Sequence, residues 1–167
     1  MNKGNKLQSV SFTGHRPSSL PWGYNSNDKE CINLKEKLKT IIKKLFKIDI
    51  TTFYNGLAEG FDMYAMEVLL ELKKEGFPLY IVGCIPCGNQ SAFYSSDNKL
   101  LYEEMKNSCD ELYYVTEGKY FNGCTHIRNK YMIDNSSILI AYSRKETGGA
   151  ASTIRYAKKQ NLDIIQM

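Results

Sequence analysis

Short apolar runs that alternate with helical stripes along the whole chain leave it few folds to adopt. Residues 7–13 read as a strand, cut off by Gly14-His15-Arg16-Pro17. Between 28 and 46 the apolar residues Leu34, Leu38, Ile41, Ile42 and Leu45 fall at i, i+4, i+7, i+8 and i+11, one helical stripe with lysines on the other side. Residues 48–54, rich in Ile, Thr and aromatics, predict a second strand. It runs into Asn55-Gly56-Leu57-Ala58-Glu59-Gly60 and a helix to about 75, striped by Ala65, Met66, Leu69 and Leu72 and ended by Gly76 and Pro78. Residues 79–85 are almost free of polar side chains, as a strand covered on both faces would be. A helix over 97–108, a strand over 111–115, a long loop, a helix over 127–134 and a strand over 137–142 follow. Gly148-Gly149 opens a last helix to about 160, before a short strand at 163–167. Strands alternating with helices predict βαβ units, hence a doubly wound, mostly parallel α/β sheet with helices on both faces.

Composition narrows the setting. At 167 residues the chain is about one domain's worth and leaves no room for a separate output domain. No apolar run approaches the ~18 residues of a membrane span, and the first residues lack the ~7–15-residue apolar stretch of a signal peptide. A soluble, cytoplasmic protein with no membrane partner is expected. The 22 Lys and Arg against 18 Asp and Glu give a net charge of +4. Much of the excess lies at Lys35, Lys37, Lys39, Lys43, Lys44 and Lys47, which read as a solvated helix face before they read as a nucleic-acid platform. Five cysteines without an export signal are expected to be reduced.

In an open α/β sheet, ligands bind outside the carboxyl ends of the strands. The informative segments are therefore GHRP, NGLAEGFD, IPCGNQ, the loop before IRNKYM, and KETGGAAST. Three of the five carry glycine where a helix is about to begin, so that backbone N–H groups can face a phosphate without side chains in the way. None is a G-x-G-x-x-G fingerprint and none carries a Walker A lysine. Together they point to a phosphate-bearing ligand.

The segments SFTGHRPSSLPWGY, NGLAEGFDMYAMEVLLELKK, IPCGNQ, CTHIRNKYMIDNSSILIAY and GGAASTIRYAKK resemble, in order and over nearly the whole chain, the YpsA/YoqJ-like group of the SLOG superfamily. That superfamily also holds the LOG-type phosphoribohydrolases and the DprA-type single-strand DNA binders. The resemblance implies a single Rossmann-like domain over 1–167 that binds a nucleotide or a nucleotide-derived, ADP-ribose-like molecule. It implies ligand-binding roles for Gly14, His15 and Arg16, with Arg16 on phosphate and His15 on a ribose, the alternative for both being a tight turn before Pro17. Gly56, Ala58 and Gly60 match the second loop. Asp62 sits near its helix start, where a carboxylate is stabilising without any ligand. Pro86 and Gln90 belong to the third segment. Arg128 and Asn129 match a segment whose arginine touches phosphate or ribose in LOG-type enzymes, where a planar guanidinium fork suits an anion better than lysine does. Gly148, Gly149, Ser152 and Thr153 match the family's Gly-Gly-x-x-x-Thr loop.

One departure separates binding from turnover. LOG-type enzymes carry Gly-Gly-x-Gly-Thr-x-x-Glu, and their glutamate position falls here on Arg155. Glycosidic cleavage needs negative charge or a general base nearby, so the expected role is sensing or sequestering, with no catalytic residue and no cofactor assigned. The alternatives are a nucleotide N-glycosidase in which Glu59, Asp62 or Glu146 substitutes, and a DprA-like DNA binder. A homo-oligomer is a further expectation, and nucleic acid is the less expected partner. Cys84, Cys87, Cys124 and His126 would form a zinc site only if two strand ends converge; small buried thiols are the reading preferred. Trp22 and Tyr24 either stack on a base or cover the core edge. Phe93, Tyr94, Tyr120 and Phe121 are similar candidates at the same rim.

Overall fold

A computed structural model describes residues 2–167. Among the described residues the strands are β1 (Ser9–Gly14), β2 (Thr52–Asn55), β3 (Tyr80–Ile85), β4 (Glu111–Tyr114), β5 (Ile138–Tyr142) and β6 (Asp163–Gln166). The α-helices between them are α1 (Lys29–Phe46), α2 (Phe61–Lys74), α3 (Ser96–Asn107), α4 (Cys124–Asp134) and α5 (Gly149–Lys159). The six strands form one sheet in the order β4-β3-β2-β1-β5-β6, and every pair is parallel, where the sequence led only to a mostly parallel sheet. The chain steps outward from β1 to β4, then returns through α4 to the far side of β1. The order thus reverses between β1 and β5, the position at which a doubly wound sheet opens a crevice.

Successive strand residues face opposite layers. Phe12, Phe53, Ile81 and Ile140 join the core built with α1 and α2. On the other face, Leu139 and Ala141 pack with Ile133 and Ala157, and Tyr54, Val82 and Cys84 pack with Met132 of α4. Within α1, Asp28 caps the first turn by accepting from Glu30 N–H at 2.8 Å, and Cys31, Leu34, Leu38, Ile42 and Leu45 form the buried stripe. The opposite lysines are partly engaged. Lys35 pairs with Glu67, Lys39 with Glu71 and Glu75, and Lys43 with Glu75, so the basic stripe of α1 meets an acidic stripe on α2.

Three element boundaries differ from the sequence reading by two residues or more. Leu7 lies in a single 3-10 turn, Lys6–Gln8, and the strand starts at Ser9. The second strand starts at Thr52 rather than 48, because Ile48, Asp49 and Ile50 close the end of α1. Asp49 adopts φ 64°, and Ile50 N–H reaches back to Leu45 O at 3.2 Å. The fourth helix begins at Cys124 instead of 127, directly after Gly123 at φ 95°.

The end of β1 and the start of α2 lie against each other. Gly60 sits at φ 92°, a conformation L side chains rarely adopt, and Phe61 N–H donates to His15 O at 3.1 Å. A Cβ on Gly14 would overlap the Phe61 side chain, and one on Gly60 would overlap His15 O. These two glycines hold the first loop against the second helix.

Candidate functional site

A cleft of about 320 Å³ opens between the carboxyl ends of β1 and β5. The end of β1 (Thr13, Gly14) and the loop after it (His15, Arg16, Ser18, Ser19) make one wall, and Lys145 and Thr147 to Ala150 make the other. Ala58, Asp62, Thr125, Arg128 and Asn129 complete the lining. Gly14 pairs with Tyr142 in the register, so the two strands deliver their loops side by side.

Gly148 caps α5 at φ 94°, and no side chain caps the helix. The first helical bond comes from Ser152 N–H to Gly148 O at 3.0 Å, which leaves the N–H groups of Gly149, Ala150 and Ala151 without an intrahelical acceptor. Gly149 and Ala150 line the cleft, and a Cβ on Gly149 would meet nothing within 4 Å. Exposed Arg16 and Lys145 flank the same space; Lys145 Nζ donates to Ser19 Oγ at 2.8 Å. Free N–H groups at the positive end of a helix dipole, beside two cations, suit an anion.

Arg128 is only 2% exposed. Its Nη1 donates to Gly56 O and to Cys84 O, the latter at 3.0 Å, and its Nε donates to Asn129 Oδ1 at 2.7 Å. The guanidinium thereby ties the ends of β2 and β3 to α4, a role the sequence did not disclose, while still lining the cleft. Asn129 Nδ2 in turn donates to Thr153 Oγ1 at 3.1 Å, and Thr153 donates to Gly149 O at 3.0 Å. This relay holds α4 and α5 together behind the open helix end. Asp62 is buried below it. Burial pushes its carboxyl above the usual carboxylate range, against the pull of Arg128, Arg16 and the Ala58 N–H.

His15 is 7% exposed and accepts the Arg144 N–H at Nε2, 2.8 Å away, which fixes the proton on Nδ1 and pins the β5–α5 loop. Burial, with Lys145 and Arg144 nearby, holds its pKa below the ordinary value. The folded protein therefore binds fewer protons here than the unfolded chain. Stability from this group is complete above the unfolded pKa of about 6.5 and is lost as pH falls through the lowered folded value. We expect thermal midpoints recorded between pH 7.5 and 5 to fall less steeply in His15→Gln than in the parent. Parallel curves would contradict the assignment.

Of the residues picked from the sequence, Gly14, His15, Arg16, Ala58, Asp62, Arg128, Asn129, Gly148 and Gly149 meet at the cleft. Gly56, Gly60, Pro86, Gln90, Ser152 and Thr153 do not line it. Gly56 lies under Arg128, and Gln90 Nε2 donates to Gly56 O at 2.8 Å while its Oε1 accepts from Tyr102 OH. Ser18, Ser19, Thr125, Lys145, Thr147 and Ala150 belong to the lining and were passed over. Four of those six lie in strand-end segments already marked, and all six lie within four residues of a picked glycine or arginine. Arg155 stays exposed outside the cleft, with Nη1 on Glu146 O at 2.9 Å, and Glu59 accepts from Asn98 Nδ2 at 2.7 Å.

The four soft ligands do not converge. Cys84 packs against α4, Cys87 lies beside Cys124, and His126 is exposed. Among the described residues no three His, Cys, Asp or Glu side chains come together to hold a metal. Trp22 covers the core edge, with Nε1 donating to Tyr64 OH at 3.2 Å. Tyr94 is buried with its hydroxyl on Leu57 O, whereas Tyr24, Phe93, Tyr120 and Phe121 are exposed. No described helix is long and apolar enough to cross a membrane.

Comparison with known proteins places these features in a family. The sequence model of the YpsA type, described as "YspA SLOG family", matches residues 10–166. The SPbeta prophage-derived protein YoqJ of Bacillus subtilis is 30% identical over 143 residues, covering 78% of this chain and 84% of that protein. A UPF0398 protein of Listeria welshimeri is 25% identical over 144 residues, covering 85% of this chain and 79% of its own length. Among solved structures, DNA processing protein A of Streptococcus pneumoniae superposes with a TM-score of 0.68 at 18% identity over 96% of this chain. DNA processing protein A of Helicobacter pylori, solved for its single-stranded DNA binding mode, does so with a TM-score of 0.64 at 19% identity over 97%. The chain spans 50% and 65% of those two longer proteins, and the likeness is one of fold.

Proposed function

The chain belongs to the YpsA-type SLOG family, and on that premise we propose that it binds a phosphorylated, nucleotide-derived small molecule in the cleft between β1 and β5. The observation that carries this reading is the uncapped start of α5, opening beside Arg16 and Lys145. The ligand's phosphate sits on the N–H groups of Gly149 and Ala150, with the two cations around it. Retention without cleavage, as in a sensor or sequestering module, fits Arg155 at the position of the LOG-type glutamate. ADP-ribose and its relatives belong to this ligand class.

The test is thermal stabilisation by a panel of nucleotides, ADP-ribose and cyclic derivatives. A ligand at ~100 Kd adds about 2.7 kcal/mol, and no shift across the panel would count against the reading. Gly149→Asp sharpens it. A carboxylate in the first turn favours the helix by about 0.3–1 kcal/mol but opposes an anion, so the variant should melt no lower than the parent and bind at least tenfold more weakly. Unchanged affinity would remove the phosphate from α5.

A second reading has its own observation. Tyr120 and Phe121 stand exposed beside Lys119 in the loop before α4, and base stacking on such side chains with a nearby cation serves single strands. It is supported by the fold shared with DNA processing protein A. Affinity for single-stranded DNA that falls steeply with salt would favour it, because neutralised phosphates release counterions.

A further inference from the structure

Two opposite charges on the cleft floor do not meet. Asp62 is 6% exposed and Arg128 2% exposed, and both lean over Gly56, where an added Cβ would overlap the Asp62 carboxylate and the Arg128 guanidinium alike. Yet no ion pair within 4.0 Å joins them among the described residues. Arg128 commits Nη1 to two backbone carbonyls and Nε to Asn129, contacts that do not use Nη2. Among the described residues no hydrogen bond within 3.5 Å ends on the Asp62 carboxylate. The bond from Asn55 Nδ2, at 2.8 Å, goes to the backbone oxygen of Asp62, so the carboxylate keeps its acceptor capacity. Asp62 is the one carboxyl in the cleft lining. Buried charges are ordinarily paired and fully hydrogen-bonded, so this gap is chemically unfinished.

The group that finishes it must accept from a guanidinium and donate to a carboxylate. A phosphate accepts but meets the charge of Asp62; an ammonium donates but meets that of Arg128. A hydroxyl does both, and a vicinal pair of hydroxyls can fill both oxygens of the carboxylate. Resting on the phosphate reading above, we infer that Asp62 and Arg128 read the 2′,3′-diol of a ribose. The cleft then has two ends of different chemistry. Gly149, Ala150, Arg16 and Lys145 take the phosphate, and the Asp62–Arg128 gap takes the sugar. Asp62 is a specificity-determining residue that selects ribonucleotides over deoxyribonucleotides.

The experiment is calorimetric titration of the full chain with adenosine and guanosine 5′-monophosphates, their 2′-deoxy counterparts, and inorganic phosphate as competitor. We expect at least one ribonucleotide to bind tenfold or more tightly than its deoxy form. In Asp62→Asn that ratio should fall to near one, while phosphate competes as in the parent. Equal binding of ribo and deoxy forms to the parent overturns the inference and leaves the phosphate reading standing. Failure of every nucleotide and of phosphate to bind overturns both. A ratio that persists in Asp62→Asn removes Asp62 from sugar recognition. The parent's own ratio decides the matter should the variant not fold.

Discussion

Arg128→Ala should destabilise the folded protein by about 3–5 kcal/mol, since it strips the donor from several buried acceptors at about 1–3 kcal/mol each. For a chain of this size that is a fall in thermal midpoint on the order of 10 °C. The loss has three sources. Gly56 O and Cys84 O lose their shared donor at the ends of β2 and β3. Asn129 loses the partner that orients it toward Thr153. Asp62, already carrying a burial penalty, loses the positive charge that does most to offset it. Arg128→Lys should recover little, since one ammonium cannot reproduce a fork that serves Gly56, Cys84 and Asn129 at once. Thermal and urea unfolding of both variants measure this. A midpoint within 2 °C of the parent for Arg128→Ala would mean that the guanidinium is not the tie between those strand ends.

The second large effect falls on affinity instead of stability. Arg16→Glu combined with Lys145→Glu reverses two exposed charges beside the start of α5. Charge-assisted bonds to phosphate are roughly twice as strong as neutral ones, and the double reversal also adds repulsion. A loss of about a hundredfold or more in affinity for a nucleoside phosphate is expected on those grounds. The thermal midpoint should barely move, because neither side chain carries core packing. Reversing Lys37 and Lys44 on α1 supplies the control. They add the same charge change away from the cleft and should leave affinity close to the parent's. Equal losses from the two pairs would point to a diffuse electrostatic effect and not to a phosphate seat.

These expectations show how far the sequence could be read. Strand and helix order was visible, because a sheet covered on both faces demands apolar runs such as residues 79–85, and α1 declares itself through one stripe. The edges of elements were less visible. Ile48 and Ile50 have strand-forming side chains, yet Ile50 is buried as the anchor that closes α1. Propensity does not separate those two uses of a β-branched residue. At the site, glycines at strand ends marked the right loops, and Gly148, Gly149, Arg16 and Asp62 meet at the cleft. Arg128 looked from its residue type like a phosphate fork. Its burial depends on how α4 docks against β3, a tertiary fact with no local signal. Gln90 and Thr153 were selected for chemistry they spend on Gly56 O and Gly149 O. Lys145 was passed over because a lone lysine in a loop carries no pattern.

The lysine run on α1 gives the clearest lesson about charge. It dominates the sequence's basic character, yet Lys35, Lys39 and Lys43 face Glu67, Glu71 and Glu75 across the α1–α2 seam. The cations that matter for the proposed ligand are fewer and scattered through the sequence, brought together only by the reversal of strand order between β1 and β5.

Amide chemical-shift mapping tests the cleft most directly. The isotopically labelled protein is titrated with adenosine 5′-monophosphate and, separately, with adenosine. The account predicts that the nucleotide shifts the amide signals of Arg16, Gly148, Gly149 and Ala150 in a saturable manner, and that adenosine without its phosphate leaves the α5 signals in place. Saturable shifts confined to the α1 surface, or shifts at α5 that adenosine reproduces in full, would contradict it.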